Sequence, residues 1–415
     1  MEFDNKSVLV VGFNTRPLAY SLEKSGYNVY VVDFFGDLDL YPCVKDSKIL
    51  IKELNTNYSS IKDRYSELLA DFTIQMMNEY PKINYLIIGS GLDDAYNDRE
   101  RISNEIKERN YKIKDLNNNI KTIQKARDIE YIYNLLTFYG FNIPITHPYE
   151  TIRSDMDNLY FPIILKKKRS AGGISVFKIK DIEEFLLKIK NFELKRFNPS
   201  EWMIQEYIEG IPISCTTISN GKNCAIISIN RQILGNPNSH APQEFMYCGN
   251  IVPAGLSRKD EQLIKKISTL IADNLGLKGI NGFDYVLKDH YPYLMEINPR
   301  IPGSIRASET SLELNLLDLH IKSFNASGWN YVKKLIKKKK FSGVSTKIII
   351  FAPKVIDKNL IAKINQLEFI HDKSEPTNNI SKGEPLCTVL YKGTTLSESY
   401  SGAMEVVDKV NGIIE

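Results

Sequence analysis

Cysteine, histidine and tryptophan are scarce: five, five and two in 415 residues. Cys43, Cys215, Cys224, Cys248 and Cys387 are widely spaced, odd in number and include no Cys-x-x-Cys pair. That pattern excludes a disulfide framework and a zinc site of the usual spacing, and it fits a reducing cytoplasm. No apolar run reaches the ~18 residues that cross a bilayer. The first residues, with Glu2 and Asp4, hold no basic stretch running into an apolar one, so the expectation is of a protein neither secreted nor embedded in a membrane. An excess of one charge is missing too. Lys plus Arg is 54 and Asp plus Glu is 50, a net +4, which makes no case for a nucleic-acid partner. Repeats and low-complexity tails are absent.

What is present is an ordinary globular balance, 43% apolar and 25% charged, in a chain long enough for two to three domains. Val8-Leu9-Val10-Val11 ends at Gly12, a helical pattern covers Leu18 to Ser25, and Val29-Tyr30-Val31-Val32-Asp33 follows Gly26. This is the strand-helix-strand pattern of a parallel sheet. Tyr85-Leu86-Ile87-Ile88, after an amphipathic stretch from Ile61 to Tyr80, adds a third strand before Gly89-Ser90-Gly91. The opening ~120 residues read as a Rossmann-like α/β unit. Gly12-Phe13-Asn14-Thr15-Arg16-Pro17 lacks the later glycines of the dinucleotide fingerprint, so this loop reads as a plain strand-to-helix turn.

Asn97 to Asp128 is polar, helical in pattern and rich in Asn and Lys, and reads as a solvated connecting segment. A helix through Tyr131, Leu135 and Phe138 stops at Gly140. A second α/β region follows, with strands at Ile163-Ile164-Leu165 and a hairpin at Asn220-Gly221. Helical periods cover Gln262 to Leu275 and Leu312 to Phe324. The run Lys337-Lys338-Lys339-Lys340 reads as a solvated helix end and linker, before a small α+β tail.

Chemistry concentrates in three places. Asp284, and then Glu296 and Asn298 after a turn at Asp289 to Pro292, fall on two strands of one hairpin. Glu296 and Asn298, two apart, share a face with Asp284 across from them, an oxygen set for a hard cation such as Mg²⁺, or else a polar solvent-facing hairpin. Lys166 ends the strand begun at Phe161-Pro162, and Lys167, Lys168, Arg169 and Ala171-Gly172-Gly173 follow. That combination reads as a phosphate cradle or as an exposed turn. Met203 to Gly210, with Gln205, Glu206, Tyr207 and Ile208, is an adenine-binding edge or simply an edge strand.

Taken in order, these pieces and Gly140-Phe141-Asn142-Ile143-Pro144 resemble the ATP-grasp superfamily, and Glu296-Ile297-Asn298-Pro299-Arg300 is its most specific part. The chain looks closest to the branch of carbamoyl phosphate synthetase, carboxyaminoimidazole ribonucleotide synthetase and archaeal carboxylate–amine ligases. The resemblance implies a fold of mixed α/β and α+β class. A Rossmann-like pre-ATP-grasp domain over residues 1–120 would precede a two-lobed ATP-grasp core over 121–335 and a small C-terminal α+β domain over 341–415. It implies ATP held by Lys166, by the lid Ala171-Gly172-Gly173 and by the hinge Gln205, Glu206, Tyr207 and Ile208. It implies Mg²⁺ or Mn²⁺ on Asp284, Glu296 and Asn298, and Arg300 at the transferred phosphoryl group. Substrate selection is expected at His240, Tyr247 and Gly249, with Ser304 and Arg306 gripping a carboxylate.

Three positions depart from the pattern. A Lys common at the start of the helix before Gly140 is missing, which leaves Lys125 or Arg127; the ribose Glu falls near Pro212, which leaves Glu209; and Gly282 stands where some relatives have Arg. The implied function is ATP-dependent ligation of a small-molecule carboxylate and amine in the cytoplasm, with release of ADP and phosphate. Homodimers are common among such proteins. Bicarbonate activation and a non-catalytic nucleotide-binding regulator are the alternatives.

Overall fold

A computed structural model of the protein describes residues 6–56, 58–109, 111–152, 159–170, 172–193 and 197–415. A continuous apolar run such as Val8 to Val11 suits a strand covered on both faces. β1 (Ser7–Gly12) is indeed buried at every position. It lies at the centre of a parallel sheet with β2 (Asn28–Asp33), β3 (Asp46–Ile49), β4 (Ile83–Ile88) and β5 (Lys114–Asp115), in the order β3-β2-β1-β4-β5. Because β2 and β4 flank β1 on opposite sides, a crevice opens at the carboxyl ends of β1 and β4. Gly12 lets the chain close there, since a Cβ on it would sit 2.8 Å from the Ser90 carbonyl oxygen.

The stretch from Asn97 to Asp128 is not a solvated connector. It forms helix Tyr96–Glu108, then β5, then helix Ile120–Arg127. Its Asn118 is buried because every polar group finds a partner: the amide donates to Asn281 Oδ1 at 2.7 Å and the Pro299 carbonyl at 2.9 Å, and the oxygen accepts from Lys278 N at 2.8 Å. Polar composition hides this, because the partners lie far away in sequence.

β6 (Thr146–Pro148), β7 (Ile163–Lys167), β8 (Val176–Ile179) and β9 (Trp202–Glu206) form a small antiparallel sheet in the order β6-β9-β7-β8. Helix Ile182–Glu193 covers it through Phe185 and Ile189, which pack with Trp202 and Ile204.

The remaining strands are β10 (Ile211–Asn220), β11 (Cys224–Leu234), β12 (Tyr247–Val252), β13 (Lys278–Lys288), β14 (Tyr291–Asn298), β15 (Val344–Phe351), β16 (Ile370–His371) and β17 (Pro385–Gly393). They make one antiparallel sheet in the order β14-β13-β10-β11-β12-β15-β17-β16. The β13–β14 turn works because Asp289 and His290 both take left-handed backbone, φ +48° and +65°, which matches the twist of a two-residue hairpin. Helix Arg258–Leu275 packs Ile264, Ile267 and Ile271 against Phe283 and Ile297 of this sheet.

The C-terminal strands continue the same sheet through β12 and β15, where Gly249 faces Ile348. A Cβ at Gly249 would lie 1.9 Å from the Lys347 carbonyl oxygen. Its glycine therefore serves strand packing. The helical reading of Leu312 to Phe324 splits into Ile305–Leu312 and Leu316–Ser323, because Glu313 turns left-handed at φ +52° and Asn315 caps the second helix. The lysine run divides too. Lys337 and Lys338 end helix Ala326–Lys338, but Lys339 turns inward and donates to the Ile226 and Ile227 carbonyls. No helix among the described residues is long and apolar enough to cross a membrane.

Candidate active site

Strands of the two antiparallel sheets and the loops after β1, β2 and β4 line one cleft of about 1860 Å³. The β13–β14 register sets Asp284 directly opposite Glu296 and Gly282 opposite Asn298. Asn298 Nδ2 donates to Asp284 Oδ2 at 2.8 Å, and Gln232 Nε2 from β11 donates to Asp284 Oδ1 at 2.9 Å. Burial, and then the charge on Glu296, push the Asp284 carboxyl up to about 7, against the opposing pull of Arg300 and Arg127. Two carboxylates and the Asn298 amide meet here. Among the described residues there is no set of three His, Cys, Asp or Glu side chains placed to hold a metal. At Gly282 a Cβ would lie 3.1 Å from Pro302 Cβ, so a side chain there would need Pro302 to give way.

Cations ring this carboxylate pair. Arg127, at the end of helix Ile120–Arg127, is buried and binds Asp94 twice, at 2.8 and 3.1 Å. It also pairs with Glu296 and donates to the Ser170 carbonyl at 2.9 Å. Of the two candidates for the missing lysine position, Arg127 lines the cleft, whereas Lys125 is exposed and sits over the Tyr131 ring. Arg300 donates to Asp93 Oδ1 at 2.5 Å. Burial works against charge on Asp93, but Arg300, Arg127 and Arg99 outweigh it and hold the carboxyl below its usual range. Asp93 and Asp94 come from the loop after β4, so the N-terminal sheet orients both arginines. No local sequence signal marks this pair.

Lys166 lines the same end of the cleft and has no ion-pair partner within 4 Å among the described residues. Burial lowers its ammonium to about 8, with Glu296 acting in the other direction. The glycine loop that follows lies down on the cleft. Tyr247 N donates to the Gly172 carbonyl at 3.1 Å, Arg169 stacks over the Tyr96 ring at 5.3 Å, and Gly173 abuts the Phe245 carbonyl. Ala171 lies outside the described residues.

Glu206, Tyr207 and Ile208 line the cleft where the small sheet meets the large one. Gln205 also lines it, but its amide donates to Tyr133 Oη and Thr146 Oγ1, both at 2.9 Å, which fixes β6 to β9. Glu206 accepts from Ile145 N at 3.2 Å. Glu209 is exposed and outside the cleft lining.

The substrate residues expected from the sequence separate into two groups. Tyr247 and Ser304 line the cleft within a polar wall. Tyr247 Oη donates to Asn250 Oδ1, Asn250 Nδ2 donates to Ser214 Oγ at 3.3 Å, and Ser304 Oγ is 3.2 Å from Thr216 Oγ1. Ser214 and Thr216, two apart on β10, had a period-2 signal that points to one face. His240, Gly249 and Arg306 are not among the lining residues. His240 Nε2 sits 3.0 Å from Asn411 Oδ1 of the last helix, and Arg306 pairs with Glu309 at 2.6 Å and stacks on Tyr20. Residues that sequence reasoning missed also line the cleft: Phe13, Asn14, Phe34, Phe35, Asp37, Lys347 and Asp372.

The ATP-grasp domain pattern matches residues 128–304. An uncharacterized protein of Methanocaldococcus jannaschii is 30% identical over 395 residues, covering 94% of this chain and 88% of its own. The L-amino acid ligase of Bacillus licheniformis superimposes with a TM-score of 0.69 at 17% identity, over 97% of both chains. N5-carboxyaminoimidazole synthetase from Staphylococcus aureus, solved with ADP, gives 0.67 at 15% identity over 98% of both. The chain belongs to the ATP-grasp superfamily, a group of ATP-binding enzymes that includes ligases.

Proposed function

We propose that the protein is an ADP-forming ligase that joins a carboxylate to an amine on small metabolites through an acyl phosphate. The observation that carries this reading is the convergence of Asp284, Glu296 and Asn298 with Lys166, Arg127 and Arg300 at one end of a single cleft. A pair of apposed carboxylates, one of them pushed toward neutrality, fits a hard divalent cation, Mg²⁺ or Mn²⁺. Bound there, the ion would neutralise phosphate charge and bridge the nucleotide to the protein.

This chain's own residues then have distinct tasks. The hinge from Glu206 to Ile208 holds the adenine edge. Lys166 and Arg127 meet phosphate oxygens, and Arg127 exchanges its Glu296 contact for them. Arg300, aimed by Asp93, faces the phosphoryl group in transit. A carboxylate has a poor leaving group; phosphorylation gives it a good one, and the lid of Gly172 and Gly173 keeps water away until the amine attacks. No side-chain nucleophile is needed. Five free cysteines suit a reducing cytoplasm.

Purified protein given Mg²⁺, ATP and pooled acids and amines should release ADP and phosphate only when both pools are present. Release driven by bicarbonate alone would point to carboxyphosphate chemistry, and none at all to a regulator. A second expectation follows from Lys166. Its ammonium, at about 8 in the free protein, meets phosphates best when charged, so ATP affinity should fall as pH rises above 8. Calorimetry at pH 7, 8 and 9 should show that fall, with proton uptake on binding, and Lys166→Arg should flatten it. A flat wild-type profile would remove Lys166 from the phosphate site.

A further inference from the structure

A second cavity, of about 330 Å³, lies in the N-terminal part of the chain and shares no lining residue with the cleft. Its walls come from helix Tyr96–Glu108, from Ile88 at the end of β4, from Asp115 of β5 and from Asn118 to Ile120, where helix Ile120–Arg127 begins. Arg99, Ser103 and Lys107 stand at i, i+4 and i+8 of the first helix, so a single helix face brings all three to the wall.

Arg99 is 5% exposed, yet its one hydrogen bond among the described residues runs from Nε to the Leu92 carbonyl at 2.6 Å. The other arginines of this stretch are matched: Arg101 pairs with Asp71 and Asp98, and Arg109 with Glu105. Arg99 has no such carboxylate within 4 Å among the described residues. Burial pulls its guanidinium below the ordinary range, and Asp93, Asp115 and Asp94 do not make up the loss. Those acids are engaged elsewhere, Asp93 with Arg300, Asp94 with Arg127 and Asp115 with Asn117 Nδ2 at 2.5 Å. Neither terminal nitrogen of Arg99 has a partner among the described residues, and neither is sealed from solvent, so the fork of the guanidinium is open where Arg99 lines the cavity.

The wall at Asn119 and Ile120 adds donors. Helix Ile120–Arg127 has no acid in its first turn, and the Asn119 side chain caps Thr122 N at 2.9 Å. The Ile120 and Lys121 amides, at the positive end of this helix, have no partner among the described residues. Glu100 and Asp115 also line the cavity. Against Arg99 and Lys107 they leave it without net charge, so affinity for an anion would come from the unspent donors of Arg99 and not from an overall field.

We propose that this cavity is an anion site that takes a phosphate group, as the free ion or as a monoester, on the fork of Arg99, with Lys107 and the start of helix Ile120–Arg127 completing it. A planar guanidinium matches two oxygens of the ion, and a helix start supplies fixed N–H groups. The site stands behind both cleft arginines. Arg99 holds Leu92, the residue before the Asp93 that aims Arg300, and helix Ile120–Arg127 runs from the cavity to Arg127.

Calorimetric titration of the full-length protein with sodium phosphate and with glycerol 3-phosphate, in chloride buffer, tests the assignment. Saturable binding is expected, and it should survive Lys166→Met, a change inside the cleft. Arg99→Gln should weaken it at least about tenfold, the scale of a lost hydrogen bond to a charged group. The same variant should lose the rise in melting temperature that phosphate gives the wild type. Lys107→Glu alters an exposed residue and leaves the core untouched, so it keeps the test decisive even where Arg99→Gln folds poorly; it should weaken binding about threefold or more. A tighter ester marks a phosphorylated metabolite and a tighter free ion marks inorganic phosphate, and either upholds the site. No saturable binding, loss of binding in Lys166→Met, or undiminished binding in Lys107→Glu or in a folded Arg99→Gln would each overturn it. None of these readouts involves ATP or turnover, so the ligase reading can fail while the anion site stands, and the reverse.

Discussion

Glu296→Gln is expected to lower acceptor-dependent ADP release by at least about 100-fold, the scale seen when a single charge-stabilising contact at a reacting centre is removed. The amide keeps the shape of the side chain and can still accept from Arg127. What it loses is the negative charge opposite Asp284. Without that charge the cation site drops from two carboxylates to one, and Asp284, no longer beside a like charge, returns toward its ordinary range from about 7. Glu296 is partly exposed on an edge strand of the large sheet, so the melting temperature should change little. Steady-state kinetics beside a thermal melt separates the two effects. Normal turnover would remove the metal assignment, and loss of stability alone would favour a scaffold.

Gly173→Ala is the second large effect, and Gly172→Ala is its control. Both glycines sit in left-handed backbone, φ +79° and +68°, where an L side chain costs about 1–2 kcal/mol. Around Gly172 a new Cβ meets nothing within 4 Å. At Gly173 it would lie 1.9 Å from the Phe245 carbonyl oxygen, a contact that the docked loop cannot keep. The variant can relieve the clash by lifting the lid, so its fold survives and its closed state does not. Since each 1.36 kcal/mol is a factor of ten in rate, kcat should fall at least about tenfold further for Gly173→Ala than for Gly172→Ala. Equal losses would mean that the loop does not work in this docked position.

The parts of this site that follow short-range rules are legible in the sequence. Glu296 and Asn298 share a face because strands alternate, and Asp284 reaches them because a two-residue turn at Asp289 and His290 fixes the register. The glycine loop after Lys166 was equally plain. What escaped depends on residues distant in sequence. Arg127 reads as an ordinary helix end until Asp94, Ser170 and Glu296 are seen around it. Asp37 and Asp372 line one cleft although 335 positions separate them (372 − 37).

The expected substrate residues that fall outside the cleft lining do so for the same reason. His240 was placed near the substrate by its position along the chain, but its backbone turns left-handed at φ +55° and sends the ring to the last helix. Arg306 reads in the sequence as a carboxylate clamp, yet Glu309, one turn along the same helix, pairs with it. Gly249 marks a close crossing of strands, which a sequence cannot distinguish from a glycine kept for a ligand.

The central claim is that a substrate carboxylate attacks the terminal phosphate of ATP. It is tested most directly by isotope transfer. Once an acid is found that supports turnover, it is supplied with ¹⁸O in its carboxylate and the released phosphate is analysed by mass spectrometry. One ¹⁸O per phosphate, with ADP as co-product, is the predicted result. Unlabelled phosphate, or label found in AMP with pyrophosphate released, would contradict the acyl-phosphate route.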